Sequence, residues 1–589
     1  MKRLLGLLAC VLWLSGCASG IKNANLSKTS KLGPQDGMVA IQVINNAERL
    51  SGYHENWTSV YAVRIDNMKA LKAAAIAKAK EKAKGQAINE DKVDWDPDMY
   101  SMDPISAGAI GSQLFVGTMP AGEYIISSLY AYYTDGNMSS WVSMKVGYEG
   151  GTFVVKPQEF ANLGSVVFQP LKSIRQLNFW SQNNGQRAYV TRLPQNADLL
   201  PFVKTMYPQA AAQLSATSTS GWKTDELDGF RGDLAQLSRD NVLLTDAAVQ
   251  HGQATLFGKL GQLRQLHQGR WQSVDLPTNS QIGATLHASD FTLVGAEQGE
   301  VFLQTNTNNK WQVLRPVSAD EAVISLVQSG SDFFALTRAS KAVKVYRFAK
   351  PTDSWQAVGN FPTKESGAFI RYGNAYMIAI LGGVRVFNDV FLNDFASGTS
   401  QWTTGKTDGL IRLVDLGSGV LLGLESSSWD GIGDTVYSAD YGKTWVTLDR
   451  SSSFWVQSKF EFSLPARSGD KLVLIDSVAE TTTVDGKPQK TSSLRITSKP
   501  IADIARKGAW QAHGKAIAGC EILLPQISDA KRIYALCEYG KVVSTADMGH
   551  NWQTEINVNI EGMQNKQEQF LLKLLEDLKA QESSAAATD

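Results

Sequence analysis

The residues able to do chemistry are few and scattered. Six histidines, at positions 54, 251, 267, 287, 513 and 550, share no metal-ligand spacing. The chain contains no H-E-x-x-H, no G-x-S-x-G and no phosphate-binding G-x-x-x-x-G-K. Binding is better represented than catalysis. Phe369-Ile370-Arg371 and Leu410-Ile411-Arg412 lie 41 residues apart in β-prone runs, and two guanidinium groups on one surface can hold an anion. Local pairing, for instance of Arg412 with Asp415, is the alternative. Trp429, with Asp430 after it, would add an aromatic contact on the same face. The run Asp94-Trp95-Asp96-Pro97-Asp98 lacks the Gly turn and the terminal Glu of an EF-hand loop, so neither calcium nor any other cofactor is expected.

Those groups must be positioned by short strands. Trp271, Trp311, Trp355, Trp402, Trp445, Trp510 and Trp552 each follow a polar turn and precede a strand-like run, at separations of 40, 44, 47, 43, 65 and 42 residues. A period near that length suits four antiparallel strands per repeat, as in a β-propeller over residues 242–560. Seven blades are expected; six or eight fit if closure borrows strands from both chain ends. Each Arg then falls on the innermost strand of its blade, facing the central channel. The one long interval holds residues 481–488, an Asp-Gly turn between β-prone runs, which predicts an extended hairpin.

The turns themselves carry a motif. Ser438-Ala439-Asp440-Tyr441-Gly442-Lys443-Thr444-Trp445 sits between strand-like runs, and Thr545-Ala546-Asp547-Met548-Gly549-His550-Asn551-Trp552 repeats it with Thr for Ser and Asn for Thr. The pattern resembles the Asp-box, or BNR, repeat of β-propellers such as sialidases, sortilin-type receptors and photosystem-assembly factors. In those families the box is a structural turn, so the resemblance implies structural roles for Ser438, Asp440, Gly442, Trp445, Asp547, Gly549 and Trp552. It also raises sialidase-like hydrolysis, which needs an Arg cluster, a Tyr activated by a Glu, and an acid Asp. The Phe/Tyr-Arg-Ile-Pro motif of those enzymes is absent here, and catalysis is not expected.

The N-terminus sets the address. Met1-Lys2-Arg3 and the apolar run 4–14 form a signal segment too short to stay in a membrane as a helix. Leu14-Ser15-Gly16-Cys17 then resembles the bacterial lipobox. The resemblance implies cleavage after residue 16 and acylation of the Cys17 thiol, and several acyl chains anchor stably where one is marginal. An ordinary secretory signal with an incidental Cys is the alternative. Ala18, where inner-membrane lipoproteins carry Asp, implies the outer membrane of a Gram-negative cell. Cys520 and Cys537, on neighbouring strand-like runs, are then expected to pair as a disulfide in an oxidising compartment. Two buried free thiols are the alternative. Lys plus Arg equals Asp plus Glu at 57 each, so no nucleic-acid footprint is expected.

The remaining segments read as follows. Residues 17–37 are polar and read as a flexible tether. Residues 38–170 read as a β-sandwich-like domain; with Met119-Pro120-Ala121-Gly122-Glu123-Tyr124 it looks like the small sandwiches of bacterial lipoproteins. Its Ala/Lys-rich insertion, 68–87, carries Lys69, Lys72, Lys78, Lys80, Lys82 and Lys84 and is expected as a solvated helix balanced by Glu90, Asp91, Asp94, Asp96 and Asp98. Contact with anionic lipid or lipopolysaccharide is the alternative. Residues 171–241 read as a partly helical connector, and 561–589 as an amphipathic helix docked on its own protein and ending in a disordered tail from 583. The expected fold is thus mainly β: a sandwich-like domain, an Asp-box propeller and a C-terminal helix. The expected task is a non-catalytic protein-interaction scaffold at the outer membrane or cell surface, with an envelope protein as partner. Glycan binding or sialidase-like cleavage is the alternative.

Overall fold

A computed structural model describes residues 20–588 apart from 47–55, 85, 135–138, 172–187, 195–197, 216–218, 251, 330, 363–366, 373–375, 383–386, 395–402, 416–419, 426–434, 441–443, 450–464, 485–486 and 504–509; between 367 and 415 it describes the backbone only. The chain is mainly β, built from many small and mostly antiparallel sheets, with a C-terminal helix. It divides into two units. The first comprises Met1–Ser106, Gly111–Asp240 and Asn559–Asp589, and the second Ala107–Ile110 and Asn241–Val558.

Among the described residues of the first unit, two six-stranded sheets pack an apolar core between them. One sheet holds Ile21–Asn23, Met99–Met102, Ser59–Arg64, Gly122–Thr134 and Ser139–Lys145 side by side, with Thr152–Val155 on the start of Gly122–Thr134. The other holds Ala188–Arg192, Phe160–Pro170, Asp36–Asn45, Ser112–Pro120 and Pro104–Ile105, with Thr219–Ser220 beside Phe160–Pro170. Val39, Ile41 and Val43 alternate inward from one sheet as the period-two rule requires. They meet Val60, Ala62, Tyr124 and Ile126 from the other.

Helix α1, Met68–Lys82, links two strands of the first sheet and buries no residue. Helices α2, Leu200–Met206, and α3, Pro208–Ala211, each start with Pro in the first turn, where the missing N–H costs nothing. Helix α4, Asp228–Asp240, packs against α5, Ile560–Thr588: Phe230 and Phe570 rings lie 6.1 Å apart, and Lys566 pairs with Asp233 at 2.5 Å. Gln567 also donates to the Ala188 carbonyl at 3.0 Å, satisfying the rim of the sheet.

Three expectations need correction here. Residues 20–37 are not a free tether. Ile21–Asn23 pairs in parallel with Met99–Ser101, Ala24 and Leu32 are buried, and Asn25 caps Asp103 N–H at 2.7 Å. Polar side chains that bond backbone groups do there what apolar residues do elsewhere. The segment 171–241 is no connector, since its strands Ala188–Arg192 and Thr219–Ser220 complete the second sheet. The tail expected from 583 is helix to Thr588, because Ala585, Ala586 and Ala587 are the strongest helix formers and nothing there breaks the run.

Among the described residues of the second unit, twenty-seven strands form six sheets, all by antiparallel pairing of consecutive strands. Five sheets have four strands and one has seven, Gly367–Tyr372 through Val446–Asp449. That sheet is two four-strand sets sharing Thr403–Asp415: residues 403–406 and 410 pair with Phe387–Asp394, and 410–415 pair with Leu421–Glu425. Seven sets result. Six of the expected Trp mark the fourth strand of a set: Trp271 and Trp311 lie within Arg270–Asp275 and Asn308–Leu314, and Trp355, Trp445, Trp510 and Trp552 each immediately precede one, while Trp402 lies outside the described residues. The long interval is the hairpin Lys471–Val484 with Lys487–Pro500, paired from Lys471↔Pro500 to Val484↔Lys487.

Sets one and seven also touch. Trp271 meets Tyr534 edge-on with centroids 6.1 Å apart, and Gln526 Nε2 donates to Asp246 Oδ1 at 3.2 Å.

Candidate functional site

Both motif turns connect the third and fourth strands of their sets, Thr435–Ser438 to Val446–Asp449 and Val542–Thr545 to Gln553–Ile556. In the better-described copy, Asp547 Oδ1 accepts from Thr545 Oγ1 at 2.8 Å and from Asn551 N–H at 2.8 Å. Its Oδ2 accepts from Asn551 Nδ2 at 2.7 Å. Asp440 repeats this with Ser438 Oγ at 2.8 Å, Thr444 N–H at 2.9 Å and Thr444 Oγ1 at 2.7 Å. The substitutions Ser→Thr and Thr→Asn are therefore conservative in hydrogen bonding, because each replacement still donates to the same oxygen. Met548 and Gly549 both take left-handed φ, 55° and 83°, a geometry Gly adopts at no cost.

These bonds hold the Asp547 carboxyl down at about 2, with the Asn551 backbone N–H as the largest cause. Each oxygen of the carboxylate is occupied by the turn itself, so the group closes a turn and has no proton to exchange with a substrate. Trp552 packs against an apolar cluster of sets six and seven that includes Cys520, Cys537 and Ile496. Gly442 lies outside the described residues, while Trp445 is half-buried at the start of its strand.

Cys520 and Cys537 face each other on Cys520–Leu523 and Ile533–Cys537 and are joined by a disulfide. The bond lies beside the turn Tyr539-Gly540, whose residues both have positive φ, and Glu538 N–H donates to Gly519 O at 2.7 Å. It fastens the first hairpin of the set next to set one, since a Cβ on Gly540 would sit 3.5 Å from Leu243.

Arg371 and Arg412 fall on the first strands of two successive sets, through the pairings Arg371↔Ile378 and Arg412↔Leu424. Their side chains, and Trp429 and Asp430 entirely, lie outside the described residues, as does Cys17.

A feature the sequence did not advertise is a series of buried carboxylates. Glu321, 1% exposed, accepts from Thr337 Oγ1 at 2.5 Å, Lys344 Nζ at 2.6 Å and Tyr346 OH at 3.0 Å. Glu297 accepts from the N–H groups of Ile110 at 2.6 Å and Gln281 at 3.1 Å. Glu300 is held by Arg315 at 2.8 Å and Thr278 at 2.9 Å, and burial pushes its carboxyl up despite both partners. Residues Ala107–Ile110 are fixed on this cluster, since Gly108 N–H also reaches Asp320 O at 2.9 Å and Gly108 O accepts from Gln298 N–H at 2.8 Å. Tyr346 beside Glu321 is the pairing a nucleophilic tyrosine would need. Its phenol is nevertheless raised, by burial first and then by the Glu321 charge, so it stays protonated and serves as a donor. Among the described residues no three His, Cys, Asp or Glu side chains are grouped as metal ligands.

The turns Leu260-Gly261 and Gln298-Gly299, like Tyr539-Gly540, place two successive residues at positive φ between second and third strands. A Cβ on Gly261 would meet Thr278 O at 2.1 Å.

No protein-family model matches the chain, and no curated protein does. Among solved structures, the chain is similar to the computationally designed Ika8 protein at 14% identity, covering 51% of this chain and 82% of that one, with a TM-score of 0.32. It is similar also to PorZ, a bacterial surface component of the type-IX secretion system of Porphyromonas gingivalis, at 12% identity, covering 52% of this chain and 39% of that one, with a TM-score of 0.27. At these scores neither likeness carries an argument about architecture or task.

Proposed function

We propose that the chain is an envelope lipoprotein, anchored through acylated Cys17 in the outer membrane of a Gram-negative bacterium. Its second unit acts as a non-catalytic scaffold that binds an envelope protein. In this reading the seven strand sets close as a seven-bladed Asp-box propeller. The observation that carries it is the sequence of seven four-strand sets with Trp recurring at the start of the fourth strand, and with set seven lying against set one through Trp271 and Tyr534. A ring of blades presents loops on two broad rigid faces, the geometry of an interaction platform. Supporting the non-catalytic reading, Glu321 and Glu297 spend their oxygens on donors of the same unit.

Copurification from detergent-extracted envelopes, with a parallel assay on sialosides, tests this. A reproducible envelope protein retained by the wild-type chain and no sialoside cleavage are expected. Cleavage, or retention of no protein, contradicts it.

Glycan binding is the second reading, favoured by the placement of Arg371 and Arg412 on first strands of successive sets. It expects saturable carbohydrate binding that Arg371→Ala abolishes.

A further inference from the structure

Several features of the first unit converge on one end of its first sheet. Ile21 pairs with Met99, Met99 with Val63, and Val63 with Ile125, so Ile21–Asn23 enters the sheet at the end where Ser59–Arg64 leaves it and Met99–Met102 returns. Everything between those two strands, α1 included, leaves and re-enters at that end. Gly20, the first described residue, lies beside Asp96 of the same connection.

Only Ala18 and Ser19 separate Cys17 from Gly20. An extended stretch of that length reaches about 11 Å at most. An acyl anchor at Cys17 therefore holds this end of the sheet, and with it the root of α1, close to the lipid surface.

Helix α1 buries no residue, and Lys69, Lys72, Lys78, Lys80, Lys82 and Lys84 are all exposed. Against these six lysines residues 69–84 carry one acidic residue, Glu81. The acidic run that follows is the obvious neutraliser, yet of the six lysines only Lys80 has an ion-pair partner among the described residues, Glu90 at 2.5 Å. Asp98 is taken by Lys22 at 2.5 Å and Asn67 at 2.7 Å. A helix that docked in a protein groove would show an apolar stripe. This one is cationic around its circumference, which suits a diffuse anionic surface instead.

We propose that α1 is a headgroup-contact element, its lysines binding the phosphates of anionic lipids in the leaflet that holds the Cys17 acyl chains. The proposal rests on the lipoprotein reading above. The anchor supplies attachment, and the helix fixes the orientation of the first unit on the surface.

The test uses the mature chain carrying Cys17→Ser, so that acyl chains cannot bind for it, sedimented with vesicles of mixed phosphatidylglycerol and phosphatidylcholine or of phosphatidylcholine alone. It is compared with the same chain carrying Lys69→Gln, Lys72→Gln, Lys78→Gln and Lys82→Gln, and with a charge-keeping Lys→Arg set at those positions. Each lysine near an anionic surface contributes about fivefold to partition at low salt. The Gln variant should therefore bind anionic vesicles more than about tenfold less well, the Arg variant like the parent, and none should bind neutral vesicles. Equal binding by parent and Gln variant, or no binding by the parent, overturns the proposal. The mass of the N-terminal peptide from cells tests the anchor separately. An unmodified Cys17 with lysine-dependent vesicle binding would remove the anchor and leave the headgroup contact standing. An acylated Cys17 without that dependence would do the reverse.

Discussion

In the first unit, hairpin pairs are joined by neighbours that lie far apart in sequence. Phe160–Pro170 lies beside Asp36–Asn45, Ile21–Asn23 beside Met99–Met102, and α5 begins 320 residues after the end of the helix it packs on. In the second unit, every described sheet is made of strands that follow one another along the chain. Closing long loops costs entropy that short hairpins do not incur. The first unit therefore needs the last segment of the chain before its core is complete, whereas each set of the second can form as it emerges. Damage should spread through the first unit and stay local in the second.

Phe570→Ala should test the spread most severely. The ring is 2% exposed and packs on Phe230 and under Arg231, so its loss should cost about 4 kcal/mol. Limited proteolysis should then release fragments from across residues 20–240 while the second unit stays resistant; cleavage confined to the C-terminal helix would break the comparison. Replacing Cys520 and Cys537 by Ser removes a link across 17 residues and should lower stability by about 3 kcal/mol. Hydrogen exchange should rise in sets seven and one and nowhere in the first unit.

Glu321→Gln should cost about 2 kcal/mol in denaturant unfolding, since an amide N–H₂ would confront donors that now converge on a carboxylate. Asp547→Asn should have the smallest effect, and one that depends on pH. The native carboxyl titrates near 2, below the unfolded value of about 3.9, so the aspartate stabilises the fold above the unfolded value and loses that contribution as pH falls through about 2. The variant's midpoint should lie below the parent's at neutral pH and converge on it in acid, as thermal melts across pH would show.

The same contrast explains what could be read in advance. Trp spacing, the Asp-Gly hairpin and the Cys pair are local or periodic signals, and each is seen where expected: Trp552 immediately before Gln553–Ile556, Val484 opposite Lys487, Cys520 opposite Cys537. The pairing of Ile21 with Met99 has no period, and its polar surroundings read as tether because Asn25 and Gln213 work through bonds to distant backbone groups. No sequence signal marks Glu321 or Glu300 as buried. Burial there is set by which strands stack, and that lies outside any short window of sequence.

The claim on which the account depends is that the second unit binds a protein partner of the envelope. In-cell crosslinking of the tagged, wild-type chain, followed by mass spectrometry of what is captured, tests it most directly. One envelope protein should be recovered reproducibly, with crosslinks that map to strand-connecting loops within residues 241–558. Recovery of lipid and polysaccharide alone would contradict it.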